Sequence, residues 1–324
     1  MTAPPPALLV TTTRTMRGGE HTERVESCHY GHLAVVDADG QLIGGLGDPA
    51  HVTFLRSTAK PFQAAASLAL SGADLPPALL AVGWSSHRGE PAQLDAVRDL
   101  LALAGLTPDD LTTPRAAPAD DPAEPPTSLA HNCSGKHALF ALAGAAVRCP
   151  RRLLLDPDGP VQRPVLETLA QVIGSLAGVS VDGCGAPAVA APLAGIARAY
   201  AALAEPDGPW AHIAAAGQSH PKLVGGKGRL ESVLLAAGVV AKPGAEGVFA
   251  AGWAASDGSV RGVALKVSDG ASRGSSTALH GLLAAAGVVG ETEWSPPPVL
   301  GGGRRVGEVL AAQAVRALGA VLAG

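Results

Sequence analysis

Residues 32–47 read His-Leu-Ala-Val-Val-Asp-Ala-Asp-Gly-Gln-Leu-Ile-Gly-Gly-Leu-Gly, which places Asp39-Gly40 between two apolar runs. An Asp-Gly pair in this position predicts a β-hairpin with a tight turn. A second hairpin is predicted far along the chain, where residues 248–255 and 260–267 flank Asp257-Gly258. Helical patterns dominate between the two hairpins. We therefore predict an α/β (α+β) fold, with a sheet built from both chain ends, flanked by helices, and an inserted helical subdomain.

The chain is expected to form one domain over residues 1–324, with its core at about 20–290 and the helical subdomain roughly within 60–235. Apolar patterns in that subdomain predict a strand at 79–84 and helices at 64–70, 92–103, 138–147, within 161–177, at 189–204 and at 230–237. Two further helices are predicted at 275–285 and 306–322.

The composition is that of an ordinary globular protein. Hydrophobic residues make up 47% of the 324 positions, and the net charge is −4. This charge and an aromatic content of 3% argue against a protein that binds nucleic acid or a membrane surface. We recognise neither a leader peptide nor an apolar stretch long enough to span a bilayer, so a cytoplasmic location is expected. In that compartment the four cysteines are expected to be thiols or metal ligands rather than disulfide partners.

Ser57 and Lys60 stand three residues apart, directly before Pro61. Because proline is tolerated only in the first turn of a helix, the pair is expected at a helix N-terminus, with both side chains on one face. A lysine with a lowered pKa can take the proton of a serine hydroxyl and make it a nucleophile. The alternative is a serine that caps the helix beside a solvated lysine.

Lysine is scarce, with six lysines against eighteen arginines. Arginine stays protonated, whereas a buried lysine can act as a base or a ligand, so each lysine is a candidate for chemistry. Lys242 stands beside a predicted strand and next to Gly244, where it could reach a cleft between the sheet and the helical subdomain. A surface lysine at a strand end is the alternative.

Cys133-x-x-Lys136 and the later Asp182-x-Cys184 form a possible metal-binding constellation. Thiolates and nitrogen donors are ligands of zinc. The spacing differs from that of a zinc finger, and two buried cysteines near polar turns are the alternative.

Ser86 and His87 are adjacent, so on a strand their side chains would point to opposite faces and would not form a catalytic dyad. We expect one of them to be a site residue and the other a structural partner.

Together these motifs resemble one family, the Rhizobium etli-type L-asparaginases, also called asparaginase II. The matching segments follow one another over about residues 20–290 and are His29-x-Gly31, Arg56-Ser57-x-x-Lys60-Pro61, Ser86-His87-x-Gly89-Glu90, residues 131–138, Asp182-Gly183-Cys184-Gly185-x-Pro187, His220-Pro221, Lys242-x-Gly244-Ala245-Glu246-Gly247 and Gly262-x-Ala264-Leu265-Lys266-x-x-Asp269-Gly270. The chain departs from the family at Pro243, and its 204–220 region is shorter than expected.

The resemblance implies a fold like that of the serine β-lactamases and glutaminases, and hydrolysis of L-asparagine to L-aspartate and ammonia. It implies two serine–lysine pairs in the active site, Ser57 with Lys60 and Ser86 with Lys242. In this hypothesis Lys60 takes the proton of Ser57, which attacks the side-chain amide. The second pair relays a proton to the departing ammonia.

The resemblance also implies a zinc ion held by Cys133, Lys136 and Cys184. Substrate contacts are expected from Arg56, His87 and Asp182, and the protein is expected to be a homodimer. Two other functions stay open. A penicillin-recognising hydrolase or a glutaminase would share the Ser-x-x-Lys and Lys-x-Gly motifs without the zinc set, and a non-catalytic zinc-binding protein would use the serines only as helix caps.

Overall fold

The computed structural model describes residues 3–16, 23–255, 257–290 and 294–323. The strands within these ranges are β1 (Ala7–Thr15), β2 (Glu23–Asp37), β3 (Leu42–Leu46), β4 (Val52–Phe54), β5 (Gly178–Val181), β6 (Pro187–Pro192), β7 (Val240–Pro243), β8 (Val248–Ala254), β9 (Val260–Val267), β10 (Val299–Gly301), β11 (Arg304–Gly307) and β12 (Val309–Ala311). The helices are α1 (Lys60–Ser71), α2 (Pro77–Gly83), α3 (Pro91–Leu103), α4 (Ser134–Ala146), α5 (Gln162–Ile173), α6 (Leu193–Ala204), α7 (Ala211–Ser219), α8 (Pro221–Gly225), α9 (Leu230–Ala236), α10 (Ser272–Ala285) and α11 (Gln313–Ala323).

The main sheet is antiparallel and joins the two ends of the chain. Its strands follow the order β12-β1-β2-β9-β8-β7, and β3 pairs with β2. Both predicted hairpins are present, as β2–β3 and β8–β9, and they meet where β2 pairs with β9. The mixed helix-and-sheet class and the sheet built from both chain ends are therefore confirmed. The likeness to serine β-lactamases and the domain limits stay predictions, and the predicted start of the core at residue 20 lies outside the described residues.

The sheet separates two hydrophobic cores. Along β2, Ala34 and Val36 face a core shared with α1 to α7, whereas Leu33 and Val35 face one shared with α10 and α11. This alternation is the period of two expected for a strand that is covered on both faces.

The strand predicted at 79–84 is wrong, because these residues belong to α2. Pro77 occupies the first turn of this helix, where its fixed φ suits the helix and its missing N–H costs nothing. All of Leu79–Gly83 is buried, so the segment is apolar on every side. A short apolar run of this kind does not distinguish a buried strand from a buried helix.

The helices predicted at 189–204 and 306–322 are each wrong in their first part. Residues 189–192 belong to β6, which ends at Pro192, and α6 begins only at Leu193. Near the C-terminus β11 and β12 precede α11, because residues 309–311 pair with β1. In both places sheet pairing overrides an alanine-rich or apolar helical pattern. The other predicted helices are confirmed to within a few residues at their ends.

Helix α6 lies directly on the backbone of the two central hairpin strands. Gly252 of β8 pairs with Gly262 of β9. A Cβ atom on Gly252 would overlap the carbonyl oxygen of Tyr200, and one on Gly262 would overlap that of Ala197. The glycine pair therefore permits the close packing of helix on sheet.

None of the described helices is long and apolar enough to cross a membrane.

Replacing Gly262 with Ala should lower the free energy of unfolding by about 1–3 kcal/mol, because the added methyl group has no space under α6. Urea titration followed by circular dichroism measures this loss. The matched control is Gly178→Ala in β5, where an added Cβ atom meets nothing within 4 Å. Equal stability of the two variants would contradict the proposed close packing.

Candidate active site

The serine–lysine segment lies where β4 ends. Arg56–Ala59 forms a single 3₁₀ turn that continues directly into α1 at Lys60. Thr58 holds this turn, since its backbone N–H and its hydroxyl both donate to the carbonyl of Leu55. The hydroxyl of Tyr200, on α6, donates to the Thr58 carbonyl at 2.9 Å. The predicted pair therefore spans the start of the helix, with the serine in the turn and the lysine as the first helical residue.

Lys60 is only 1% exposed, which excludes a solvated lysine. Its Nζ atom donates to the carbonyl oxygens of Ser85 at 2.6 Å and Asn132 at 3.2 Å. It also lies 3.0 Å from Ser86 Oγ. Among the described residues no hydrogen bond joins Lys60 Nζ to Ser57 Oγ. The direct partner of this lysine is thus the serine of the second predicted pair.

The three partners of Lys60 suit a neutral amine. A neutral amine has two N–H groups and one lone pair; two carbonyl oxygens accept the two N–H groups and leave the lone pair for the Ser86 hydroxyl. Burial lowers the pKa of Lys60, although the neighbouring Cys133 thiolate, by its charge and as a further hydrogen-bond acceptor, acts in the opposite direction. This arrangement can accept a proton from Ser86 and return it.

Lys242 is the second buried lysine. It lies in β7 opposite Ala250 and is fully buried, yet its Nζ atom has no hydrogen-bond partner among the described residues. Burial, and then the positive charge of Lys60, lower the pKa of Lys242 to about 7. An unpartnered buried amine is a costly feature, typical of groups that meet a ligand or transfer a proton. Its pairing with Ser86 stays a prediction.

Pro243 does not disturb the strand that carries Lys242. The proline pairs with Phe249 at the end of β7, and the next N–H in the ladder, that of Gly244, donates to the Val248 carbonyl at 2.8 Å.

Ser86 and His87 lie in the irregular segment that follows α2, and their side chains have different environments. Ser86 is partly exposed, and its backbone N–H donates to the Val224 carbonyl. His87 is buried; its Nδ1 accepts the N–H of Gly89, so its Nε2 carries the proton and donates to Ser134 Oγ at 2.7 Å. Burial lowers the pKa of His87 to about 3. The neutral ring thus anchors the start of α4, and its predicted contact with substrate stays untested.

Two thiols and a lysine meet beside Lys60. Cys133 and Cys184 are free cysteines within hydrogen-bonding reach of each other, and Lys136 Nζ lies 3.1 Å from Cys184 Sγ. The hydrogen bond from Cys184 lowers the pKa of the Cys133 thiol well below its usual range, and the charge of Lys60 lowers it further. Burial lowers the pKa of Lys136, but the neighbouring sulfur atoms of Cys133 and Cys184 raise it more. The cluster therefore balances a thiolate against an ammonium group.

Asp182 connects this cluster to Arg56. Arg56 Nε donates to Asp182 Oδ1 at 2.9 Å, and Asp182 Oδ2 lies 3.8 Å from Cys184 Sγ. Arg56 has a φ of 51°, in the left-handed region that is strained for a residue with a side chain. The predicted substrate-binding pair thus lies between the serine turn and the sulfur cluster.

The donor atoms near Asp182 are two sulfur atoms and one amine nitrogen. No group of three or more His, Cys, Asp or Glu side chains within the described ranges is arranged to hold a metal ion. The predicted set contains only two residues of these types, and its third member is Lys136. Two adjacent sulfur atoms and a nearby amine nitrogen are suitable donors once they have lost their protons.

Sequence reasoning did not identify three participants in the site. The carbonyl groups of Ser85 and Asn132 orient Lys60, and Ser134 holds His87. Asn132 and Ser134 stand within the quoted 131–138 motif, but backbone acceptors carry no signal in a sequence.

The sequence profile of the L-asparaginase II family matches residues 14–311 of this chain. No curated protein gave a match.

Replacing Lys242 with Met should stabilise the fold, and more so at pH 7 than at pH 9.5. Below about pH 7 the lysine is protonated in both states, and the folded chain bears the full burial penalty. As the pH rises toward the unfolded value near 10.5, only the unfolded chain still binds the proton, so the penalty disappears.

The gain in the free energy of unfolding should shrink by about 3 kcal/mol between the two pH values. Urea titration of both proteins at each pH measures it, and exposed Lys227→Met is the matched control. A gain that is constant with pH would contradict the lowered pKa of Lys242.

Proposed function

This chain belongs to the L-asparaginase II family, a family of hydrolases acting on amides, and on that premise we propose that it hydrolyses L-asparagine to L-aspartate and ammonia. The proposal rests chiefly on one observation, the contact between the buried Lys60 Nζ and Ser86 Oγ at 3.0 Å. A lysine held by two carbonyl oxygens beside a hydroxyl is the arrangement that serine–lysine acyl transfer requires.

In the proposed reaction Ser57 attacks the carbonyl carbon of the side-chain amide, and its proton reaches Lys60 by way of Ser86. The O–H bond of Ser57 is broken and a C–O bond to the carbonyl carbon is formed. The carbonyl oxygen becomes the oxyanion of a tetrahedral intermediate. Ser57 is partly exposed and lies in the turn that precedes α1, where the positive end of the helix dipole can stabilise the oxyanion.

Collapse of this intermediate breaks the C–N bond. The proton held by Lys60 returns through Ser86 to the departing nitrogen, which leaves as ammonia, and an ester of Ser57 remains. Water then attacks the ester with the same groups acting in reverse, which gives L-aspartate and regenerates the serine. The pKa of Lys242, about 7, allows both protonation states near neutral pH. Because its buried Nζ atom has no hydrogen-bond partner among the described residues, Lys242 is the group we propose to stabilise charge or share the proton.

Ser86 is the second candidate nucleophile, because it is the serine that directly contacts Lys60. A diazoketone analogue of asparagine that alkylates an activated serine would distinguish the two assignments. Peptide mass spectrometry is expected to find the label on Ser57; a label on Ser86 would reverse the roles of the two serines.

We also propose that Cys133, Lys136 and Cys184 hold a zinc ion. The support is the closeness of the two thiols and of the lysine nitrogen, beside the Asp182 carboxylate. A bound zinc ion would supply a positive charge that orients or polarises the substrate. The homodimer and the cytoplasmic location expected from the sequence remain proposals.

The single variants Ser57→Ala and Ser86→Ala should each lower the kcat for ammonia release from L-asparagine by about 10³-fold or more, because both hydroxyls act in one proton-transfer unit. Exposed Ser219→Ala is the matched control and should keep full activity. A coupled ammonia assay measures the rates, with L-glutamine and a chromogenic β-lactam in parallel. Near-normal turnover by both variants would refute the serine mechanism, and cleavage of the β-lactam or glutamine alone would favour the competing hydrolases.

Purified protein should contain zinc in stoichiometric amount, and Cys184→Ser should lose most of it, because one of two sulfur donors is removed. Elemental analysis after dialysis measures the content. Cys149→Ser changes a partly exposed thiol outside the cluster and serves as the control. Equal zinc content in both variants would argue against this site.

A further inference from the structure

Three motif segments that the proposed mechanism leaves without a role meet around the loop 244–247, which lies beside Arg56. The first is the loop 244–247, which packs against the serine turn: a Cβ atom on Gly244 would lie 2.9 Å from the Leu55 carbonyl oxygen and 3.3 Å from Arg56 Cβ. The other two are Lys266 and the turn at Asp269-Gly270. The loop 244–247 thus forms a wall that lies between the serine turn and the end of β9.

Glu246 is a strained member of this loop. Its φ is 61°, so it is one of the non-glycine residues with a left-handed backbone, as Arg56 is on the other side of the wall. A Cβ atom on Gly270 would lie 2.9 Å from Glu246 Oε2. Strained residues cluster where the surrounding structure must aim particular side chains.

Lys266 lies at the centre of the group. Its Nζ atom donates a hydrogen bond to the backbone carbonyl of Glu246. An ammonium group has three N–H donors, so this bond leaves two of them for other acceptors. The side chain of Lys266 is half-buried, and this burial is the main reason that its pKa is lowered. The nearby charge of Arg56 also lowers the pKa, whereas the carboxylates of Glu246 and Asp269 act in the opposite direction. Two cations, Lys266 and Arg56, are therefore held within electrostatic range of each other.

Hydrogen bonds to both of its carboxylate oxygens fix the orientation of Asp269. His29 is buried, and its Nδ1 lies 2.6 Å from Asp269 Oδ2. Arg273 Nε donates to His29 Nε2 at 2.9 Å, so that nitrogen is the acceptor and Nδ1 carries the proton. The other oxygen of Asp269 accepts the N–H of Ala271. Asp269 is thus oriented by the fold, and its charge steadies the ammonium group of Lys266.

Charges of both signs surround this wall. The cations are Arg56 and Lys266, and the carboxylates beside them are Asp182, Glu246 and Asp269. A plain amide would gain little from such a set, whereas the head group of an α-amino acid, with one carboxylate and one ammonium group, matches it in kind. Arg56 immediately precedes Ser57, so the set flanks the proposed nucleophile.

We propose that Lys266 is a specificity-determining residue that, beside Arg56, binds the α-carboxylate of the amino-acid substrate. This inference rests on the proposed amidase function and deepens it, because it explains why the enzyme would select a free amino acid over other primary amides.

The test compares L-asparagine with 3-aminopropanamide, which is asparagine without its α-carboxylate. Lys266→Met should raise the KM for asparagine about 10- to 100-fold, the loss expected for one charge-assisted hydrogen bond, with little change in kcat. Its kcat/KM for 3-aminopropanamide should match that of the unchanged protein. Lys266→Arg, which keeps a cationic donor, should recover most of the affinity for asparagine, and exposed Lys222→Met is the matched control.

A purely structural role in holding the Glu246 carbonyl predicts a different result. Lys266→Met would then lower kcat/KM for both amides equally, and Arg at this position would not restore selectivity; that outcome, or no effect on either amide, overturns the proposal.

Binding of the product separates this inference from the proposed reaction. Calorimetric titration with L-aspartate should show about 10-fold or greater weakening in Lys266→Met, and β-alanine, which lacks the α-carboxylate, should bind weakly to both proteins. If the unchanged protein binds aspartate in this way but releases no ammonia from asparagine, the catalytic proposal fails while the inference stands. If Lys266→Met binds aspartate as tightly as the unchanged protein does, the inference fails whatever the activity.

Discussion

The pairing of β2 with β9 is the interaction on which the rest of the structure depends. It runs from Gly31 opposite Val267 to Asp37 opposite Arg261 and joins the first hairpin to the second. Through β9 it fixes β8 and β7, and so the backbone of Lys242. The inserted region between β3 and β7 supplies the serine turn and the sulfur cluster. The candidate site therefore exists only when segments from both ends of the chain are paired.

The electrostatic character of the site follows from burial. Lys60 and Lys242 are both buried, and burial lowers the pKa of each. The charge of Lys60 lowers the pKa of Lys242 further, and the charge of Lys136 lowers that of Lys60. The Cys133 thiolate partly offsets these positive charges. Lys60 contacts oxygen atoms of Ser85, Ser86 and Asn132, whereas Lys242 Nζ has no hydrogen-bond partner among the described residues. The two amines are therefore unequal, and unequal buried bases are suited to pass a proton in one direction.

Sequence patterns predicted the parts of this fold that carry strong local signals. The turns at Asp39-Gly40 and Asp257-Gly258 gave both hairpins, and Pro61 gave the start of α1. Helix α2 was missed because a short, wholly buried apolar run has no readable period, and β12 because its partner β1 lies at the other end of the chain.

Within the site, too, sequence patterns indicated the residue types but not the contacts that depend on tertiary packing. The residue types of the serine, lysine and cysteine motifs indicated chemistry, and the structure brings Lys60, Ser86, Cys133, Lys136 and Cys184 into one neighbourhood. The partner of Lys60 could not be predicted, because it depends on carbonyl groups of Ser85 and Asn132 that any residue type provides. The paired hydroxyl comes from a segment that only tertiary packing brings near α1.

The sheet built from both chain ends has a consequence for synthesis on the ribosome. Strand β2 is made early, but its partner β9 emerges only after the whole helical region, since Asp37 must wait for Arg261. Until then one edge of a long strand with an apolar second half is unpaired, and such edges are prone to pair with other chains. The slow step in maturation is therefore closure between distant segments, and the nascent chain depends on its helices, or on a chaperone, to cover that edge while it waits.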